Sequence, residues 1–175
     1  SSQSIGSLAI APSDSNQVWA GTGEPFIRSN VLIGDGIYKS ANAGETWTHM
    51  GLEKTGRIGR IIVHPKNPNI VFAAAQGHCY GPQKERGVYK TTDGGKTWKQ
   101  VLFVDEDTGC SGLAMDPNNP RILFAGMWPI VIKTWGKFSG GPGGGVYVSR
   151  DGGDTWNKIE GHGLPAFEVG KVDVA

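Results

Sequence analysis

The chain lacks an excess of charge of either sign: 17 Lys and Arg residues face 16 Asp and Glu residues among 175, a net charge of +1. Proteins that bind nucleic acids or membrane surfaces usually carry a basic excess, so we expect neither a nucleic acid nor a membrane surface as a partner. No apolar run approaches the roughly 18 to 20 residues that a membrane span needs. The first fifteen residues also lack the charged and apolar regions of a signal peptide. We therefore expect a soluble domain without a membrane span.

Cysteine is scarce as well, with only Cys79 and Cys110. No C-x-x-C or Cys/His metal spacing is present, which argues against a zinc site. The pair permits one disulfide but does not demand it. Two buried or unpaired thiols are the alternative, and the sequence leaves both open.

Glycine, by contrast, is abundant: 28 of the 175 residues are glycine, far above the usual fraction of roughly 7%. These glycines stand in turn-like dipeptides and not in a period of three. Six Trp, six Phe and four Tyr residues accompany β-branched runs. The composition predicts an all-β chain with many tight turns.

One short stretch occurs three times: "SANAGETW" (40–47), "TTDGGKTW" (91–98) and "SRDGGDTW" (149–156), which share the pattern [ST]-x-[DN]-x-G-x-T-W. A second stretch also repeats, as "IGSLAIAPSDSNQVWAG" (5–21), "IGRIIVHPKNPNIVFAA" (58–74) and "CSGLAMDPNNPRILFAG" (110–126). Each unit reads as four strands in about 50 to 60 residues, which is typical of a β-propeller blade. A β-sandwich is the alternative, but a sandwich does not repeat its sequence.

We therefore predict three four-stranded antiparallel blades and the first strand of a fourth within one partial β-propeller that spans 1–175. The predicted segments are blade one 5–51, blade two 58–103, blade three 110–160 and an extra strand 169–175, which matches 5–11 in pattern. Ordinary rings have about four to eight blades. The ring is incomplete unless copies associate or the chain is a piece of a longer protein.

The repeated stretch has the residues of a turn. Asn or Asp at its third position accepts backbone amides, Gly supplies a positive φ angle, Thr bonds back to the turn and Trp packs between blades. Equivalent acids in separate blades lie too far apart to form one active site, so we interpret the stretch as structural. Its residues are Asn42, Gly44, Thr46, Trp47, Asp93, Gly95, Thr97, Trp98, Asp151, Gly153, Thr155 and Trp156.

These stretches resemble Asp-boxes, also called bacterial neuraminidase repeats. They are found in sialidases, xyloglucan-active glycoside hydrolases, sortilin-type receptors and photosystem assembly factors. The combination "GTGE…GDGIYKS…TW" and "IGRIIVHPKNPNIVFAAAQGH…ERGVYKTTDGGKTW" is most similar to large bacterial sortilin-like proteins often labelled glycosyl hydrolases. The resemblance implies a propeller and a secreted or periplasmic setting, but enzymes, receptors and scaffolds share the motif.

Loops alternate between the two faces of a propeller. The Asp-boxes lie on one of these faces, which we call the box face. The opposite loop face carries the loops between strands two and three, at 22–35, 76–86 and 127–144, and the connections between blades, at 52–57, 104–109 and 161–168. Because these loops vary most among the three units, we expect function there.

Aromatic rings and paired carboxylates on one face suit a sugar-binding cleft, since rings stack on sugars and two acids hydrolyse a glycosidic bond. The candidate catalytic residues are Glu24, Asp35, His78 and Glu85. The candidate substrate-binding residues are Arg28, Tyr80, Arg86, Trp128 and Trp135. Alternatively, Trp128 and Trp135 pack the long third loop.

The acidic run Asp105, Glu106 and Asp107 offers hard oxygen ligands for calcium, with a solvated turn as the alternative. Together with Glu24 it keeps open a calcium-dependent hydrolase of the lactonase type. The resemblance favours a hydrolase or binder of glycans, and a non-catalytic sortilin-like protein-binding or assembly module is the third interpretation. No G-x-S-x-G elbow or Ser-His-Asp order is present.

Overall fold

A computed structural model describes residues 4–28, 31–165 and 168–175. Their regular secondary structure is nearly all β-strand. The strands of the first sheet are β1 Ile5–Ala11, β2 Asp14–Thr22, β3 Ile37–Ser40 and β4 Thr48–His49. The second sheet contains β5 Ile58–Val63, β6 Val71–Ala75, β7 Gly87–Thr91 and β8 Lys99–Leu102. The third contains β9 Thr108–Met115, β10 Leu123–Lys133, β11 Gly136–Ser139, β12 Gly145–Ser149 and β13 Asn157–Lys158.

All strand pairs are antiparallel, and the first two sheets follow the order of the sequence. The prediction of three four-stranded antiparallel blades is confirmed, and the described residues do not close a ring. The one helical element in this part of the chain is the 3-10 turn Glu53–Thr55. No helix among the described residues has the length and apolarity to cross a membrane.

The third blade differs from the expected pattern in the segment 127–144, which the sequence predicts as a loop. Strand β10 pairs with β9 and β12 in its first part and then continues as a hairpin with β11, from the Ile130–Ser139 pair to the Lys133–Gly136 pair. A run of β-branched residues, "IVIKT" (130–134), favours this extension over a loop. The hairpin reaches beyond the blade on the loop face.

Residues 169–175, predicted as a further strand, make a single bridge, between Gly141 and Val169. They nevertheless lie along blade three, because Ser111 Oγ donates to Val172 O at 2.6 Å. Ser7 makes the equivalent contact between blades one and two, where its Oγ accepts from Ile61 N at 3.0 Å. A first strand pairs with the second strand of its own blade, and the described residues contain no such partner for 169–175.

Neighbouring blades pack through one recurring contact. An aromatic ring on the second strand of a blade lies against the second box glycine of the next blade: Trp19 against Gly95, and Phe72 against Gly153. Trp98 completes the first contact, with its ring edge-on to Trp19 at 6.1 Å and its Nε1 donating to Met50 O at 2.8 Å. The buried side chains around these rings form the two main apolar clusters.

Each box is held by its own hydrogen bonds. Asp93 Oδ1 accepts from Thr97 N at 3.0 Å, and Asp93 Oδ2 accepts from the Thr97 hydroxyl at 2.6 Å. Asp151 and Thr155 repeat the arrangement. These bonds to threonine hold the pKa of both carboxyls far below the usual value of 3.8. In blade one Asn42 takes the same place, and its amide donates to Thr46 Oγ1 at 2.9 Å.

Substituting the second box glycine tests the contact between blades. A Cβ at Gly95 would lie 2.6 Å from the Trp19 ring, and one at Gly153 would lie 2.4 Å from Phe72. At Gly44 the nearest atom is 3.7 Å away, although its φ angle of 96° matches the 93° of Gly95. Gly44→Ala should cost about 1–2 kcal/mol from backbone strain alone. Gly95→Ala and Gly153→Ala should cost about 1–3 kcal/mol more.

Denaturant unfolding of the three variants measures this difference. Equal losses of unfolding free energy at all three positions would contradict the role of the ring–glycine contact.

The two box aspartates should make stability depend on acid pH. A carboxyl whose pKa is lowered on folding stabilises the fold above its unfolded pKa, and this contribution is lost as the pH falls through the folded value. We expect the unfolding free energy to decline below pH 3.8, and to decline less steeply in Asp93→Asn/Asp151→Asn. Asn42 shows that asparagine fits the turn.

The control is Glu45→Gln, since Glu45 is exposed and its side chain accepts no hydrogen bond from the described residues. Unfolding curves at a series of pH values provide the measurement. Parallel pH profiles for the double variant and the parent protein would refute this assignment.

Candidate functional site

Loops from all three blades meet on the loop face. The β10–β11 hairpin contacts the other two, because Ile132 N donates to Cys79 O at 2.6 Å and Lys137 Nζ donates to Ile27 O at 3.2 Å. Beneath them lies a small apolar cluster of Cys79, Trp128 and Ile130, with Ile27 and Ile132 at its edge. The loop face is thus one connected surface.

Among the described residues of the loops on this surface, four large aromatic rings are exposed to solvent. Their exposed fractions are 74% for Phe26, 48% for Tyr80, 78% for Trp135 and 53% for Phe138. Lysine ammonium groups accompany three of them: Lys171 lies 4.9 Å from the Phe26 ring, and Lys133 lies 5.6 Å from Trp135 and 5.9 Å from Phe138. Exposed rings beside polar groups can stack on the apolar face of a sugar and bond its hydroxyls.

Sequence reasoning identified Tyr80 and Trp135 among these four and missed Phe26 and Phe138. The available signal was their position, since Phe26 lies in the loop 22–35 and Phe138 in the segment 127–144. Only the hairpin geometry shows that Phe138 shares Lys133 with Trp135.

A pocket of about 480 Å³ opens among the residues of the loops 76–86 and 104–109 and Lys54. It brings together three predicted site residues, His78, Glu85 and Glu106, which belong to two different loops. The whole lining consists of Lys54, His78, Pro82, Gln83, Lys84, Glu85 and Glu106. Burial, with added repulsion from Arg86 and Arg57, lowers the pKa of His78, so its imidazole is neutral at neutral pH. His78 Nδ1 accepts from Tyr80 N at 3.1 Å.

The structure does not bring Glu24 and Asp35 into this pocket. Glu24 forms an ion pair with Arg28 at 2.7 Å within its own loop. Asp35 accepts from the Tyr38 hydroxyl at 2.9 Å, and this bond raises the pKa of Tyr38. These three predicted residues, Glu24, Arg28 and Asp35, support the loop of blade one.

Two predicted substrate-binding residues are enclosed. Trp128 is 5% exposed, and its Nε1 donates to Ser139 Oγ at 2.8 Å, so its ring supports the hairpin from below. Arg86 is fully buried and donates to three backbone carbonyls, those of Gly81, Asp107 and Ile130. Neither side chain is presented to a ligand on the surface.

The acidic run forms a turn. Asp105 Oδ1 accepts from Asp107 N at 2.9 Å, Glu106 lines the pocket, and Asp107 offers its carbonyl to Arg86. Among the described residues no three His, Cys, Asp or Glu side chains lie together as a metal would require. The predicted calcium ligands are therefore not gathered into a site.

Both cysteines are free, buried thiols, so the alternative of a disulfide is not realised. Burial raises the pKa of Cys79 against the opposing effect of Arg57 and Arg86. Burial also raises the pKa of Cys110 to about 12.

Comparison with known proteins gives the family. The family model Sortilin-Vps10, described as sortilin, neurotensin receptor 3, matches residues 35–163, which is most of the chain. The chain belongs to the Sortilin-Vps10 family. It is also 32% identical over 96 residues to the vacuolar protein sorting/targeting protein 10 of Sordaria macrospora, covering 52% of this chain and 6% of that protein.

The same fold occurs in glycoside hydrolases. The chain is 25% identical over 180 residues to a xyloglucanase of Hypocrea jecorina, covering 90% of this chain and 20% of that protein. The crystal structure of an ancestral GH74 enzyme superposes with a TM-score of 0.60 at 22% identity, covering 89% of this chain and 20% of that one. The chain is therefore a glycoside-hydrolase-like propeller in fold. It spans about a fifth or less of the length of these relatives.

Proposed function

We propose that the loop face binds a glycan, as part of a glycoside-hydrolase-like propeller. The observation that carries this proposal is the group of exposed rings on the loop face: Phe26, Tyr80, Trp135 and Phe138. Three of them have a lysine ammonium beside the ring, and the fourth, Tyr80, lies two residues from the pocket residues His78 and Pro82. Similarity to a protein named xyloglucanase supports xyloglucan as the first ligand to test.

In a hydrolytic version of this function the pocket supplies the chemistry. Glycosidases need two carboxyl groups that flank the scissile bond. Glu85 and Glu106 line the same pocket from different loops, and neutral His78, whose Nδ1 accepts from Tyr80 N, adds an Nε2–H donor. We propose Glu85 and Glu106 as the acid–base pair, in place of Glu24 and Asp35. A setting outside the cytoplasm belongs to the same proposal.

A non-catalytic binding module is the second candidate, and membership of the Sortilin-Vps10 family favours it. A calcium-dependent lactonase receives no comparable support, because the described residues gather no ligand set for the ion. Glycan binding without turnover is the result that would favour the binding module.

The decisive comparison uses two exposed tryptophans. Trp135 is on the loop face, and Trp47, 41% exposed, is on the box face. A stacked ring contributes about 0.5–1.5 kcal/mol beyond its area, so Trp135→Ala should weaken binding of xyloglucan oligosaccharides by roughly tenfold. Trp47→Ala should bind like the parent protein. Calorimetric titration measures the affinities of both variants, with mannan oligosaccharides as the comparison glycan.

An unchanged affinity in Trp135→Ala, or an equal loss in Trp47→Ala, would remove the loop face as the glycan site. Release of reducing ends from xyloglucan, abolished in Glu85→Gln or Glu106→Gln with binding retained, would establish hydrolysis.

We also propose that the chain self-associates through the leading face of blade one. Ile5, Leu8 and Ile10 there are 58%, 62% and 57% exposed. In blade two the equivalent residues Ile58, Ile61 and Val63 are buried at 0–6% against blade one. A second copy of the chain would cover the exposed side chains of Ile5, Leu8 and Ile10 in blade one.

Light scattering across a range of protein concentrations should then show dimers or larger species, and Leu8→Glu should shift them toward monomer. A clean monomer at high concentration would contradict self-association.

A further inference from the structure

Two arginines are buried without an acidic partner. Arg57 and Arg86 each have a relative exposure of 0%, and no ion pair to a carboxylate involves either within the described part of the chain. Their hydrogen bonds go to backbone carbonyls alone: Arg57 Nη1 donates to Gly77 O at 2.8 Å, and Arg86 Nη1 donates to Ile130 O at 2.9 Å. A guanidinium group carries a positive charge and only hydrogen-bond donors.

The two side chains approach the same piece of backbone. Arg57 bonds the carbonyl of Gly77, and Arg86 Nε lies 2.8 Å from the point that a Cβ on Gly77 would occupy. Gly77 has a φ angle of 88°, so the chain turns tightly between the two cations. The Tyr80 ring covers Arg57, with the guanidinium carbon 5.8 Å from its centroid.

Several donors at this point have no acceptor. Arg57 Nε, Arg57 Nη2 and Arg86 Nε are buried and unpaired among the described residues, as is the side-chain amide of Gln76. Gln76 is adjacent to Arg57, because its backbone N–H donates to Arg57 O at 2.9 Å. Buried polar groups in native proteins are almost always paired, with protein or with solvent species, so these donors call for a partner.

The partner must compensate charge as well as accept hydrogen bonds. Two neighbouring buried cations repel each other, and a buried charge without compensation is strongly unfavourable. The Cys79 thiol interacts with both guanidinium groups, but burial raises its pKa and keeps it protonated. The Asp107 and Asp105 carboxylates also act on Arg86, but neither forms an ion pair with it. Water would accept from the N–H groups but would add no negative charge. An anion satisfies the donors and the charge together.

We propose that Arg57 and Arg86 bind a small inorganic anion of halide size between blades two and three. Its ligands are the unpaired N–H groups of Arg57 and Arg86, with the Gln76 amide as a further donor. Arg86 already ties the loop 76–86 to blade three through Ile130 O and Asp107 O. The bound anion adds Arg57 to this connection. This site is independent of the proposed glycan function.

The direct test uses bromide as the probe. Crystals of the full chain soaked in sodium bromide should show an anomalous bromine peak in contact with Arg57 Nη2 and Arg86 Nε. In solution, replacing a bulky sulfonate by chloride or bromide at constant ionic strength should raise the thermal midpoint in a saturable manner. Peaks confined to surface lysines, together with midpoints that depend on ionic strength alone, would overturn the proposal.

A matched pair of variants locates the effect. Arg57→Gln removes one proposed ligand, and Arg150→Gln makes the same change of charge at an exposed position on the box face. The chloride concentration at half-effect should rise at least tenfold in Arg57→Gln and stay unchanged in Arg150→Gln. If Arg57→Gln does not fold, the bromide peak in the parent protein still decides the question.

A thiolate absorbance from Cys79 at neutral pH, measured in Cys110→Ser protein, would instead identify Cys79 as the counter-charge and overturn the anion site.

Discussion

The contact between an aromatic ring and a box glycine sets the geometry of the whole molecule. Trp19 lies where a side chain on Gly95 would be, and Phe72 lies against Gly153 in the same way. Because glycine is needed both for the positive φ angle and for the space, one residue joins the turn within a blade to the packing between blades. The Asp-box is thus a device for stacking blades, and the acid at its centre holds the turn in place.

The stacking of blades on the box face determines what happens on the opposite face. With each blade fixed against its neighbour, the loops between second and third strands all emerge on one side. Their contacts, such as Ile132 N with Cys79 O, then join loops that are more than fifty residues apart in the chain. The pocket carboxylates, Glu85 and Glu106, also come from two different loops. The site therefore depends on a contact at the far end of the blades.

Sequence periodicity was sufficient for the fold, and it directed the search for a candidate site to the loop face. The three boxes, the paired apolar strands and the variable loops predicted three blades and a functional loop face. Sequence periodicity could not distinguish the structural roles of residues of the same type in the same loop. Trp128 and Trp135 lie in one segment, yet Trp128 supports the hairpin from below and Trp135 stands at its tip. Arg86 reads as a ligand-binding arginine on the surface, but it is buried, and its Nη1 donates to the carbonyls of Asp107 and Ile130 in distant segments.

The sequence by itself determined the blade, because strands, turns and box hydrogen bonds form between residues close together in the chain. Asp93 and Thr97 are four positions apart, and that spacing fixes their bond. The tertiary structure alone decided which side chains are buried, paired or exposed on the loop face. Arg57, Arg86 and Trp128 are enclosed by neighbours from other blades, whereas Phe26 and Trp135 are not. Burial and pairing depend on these non-local contacts, and no local pattern encodes them.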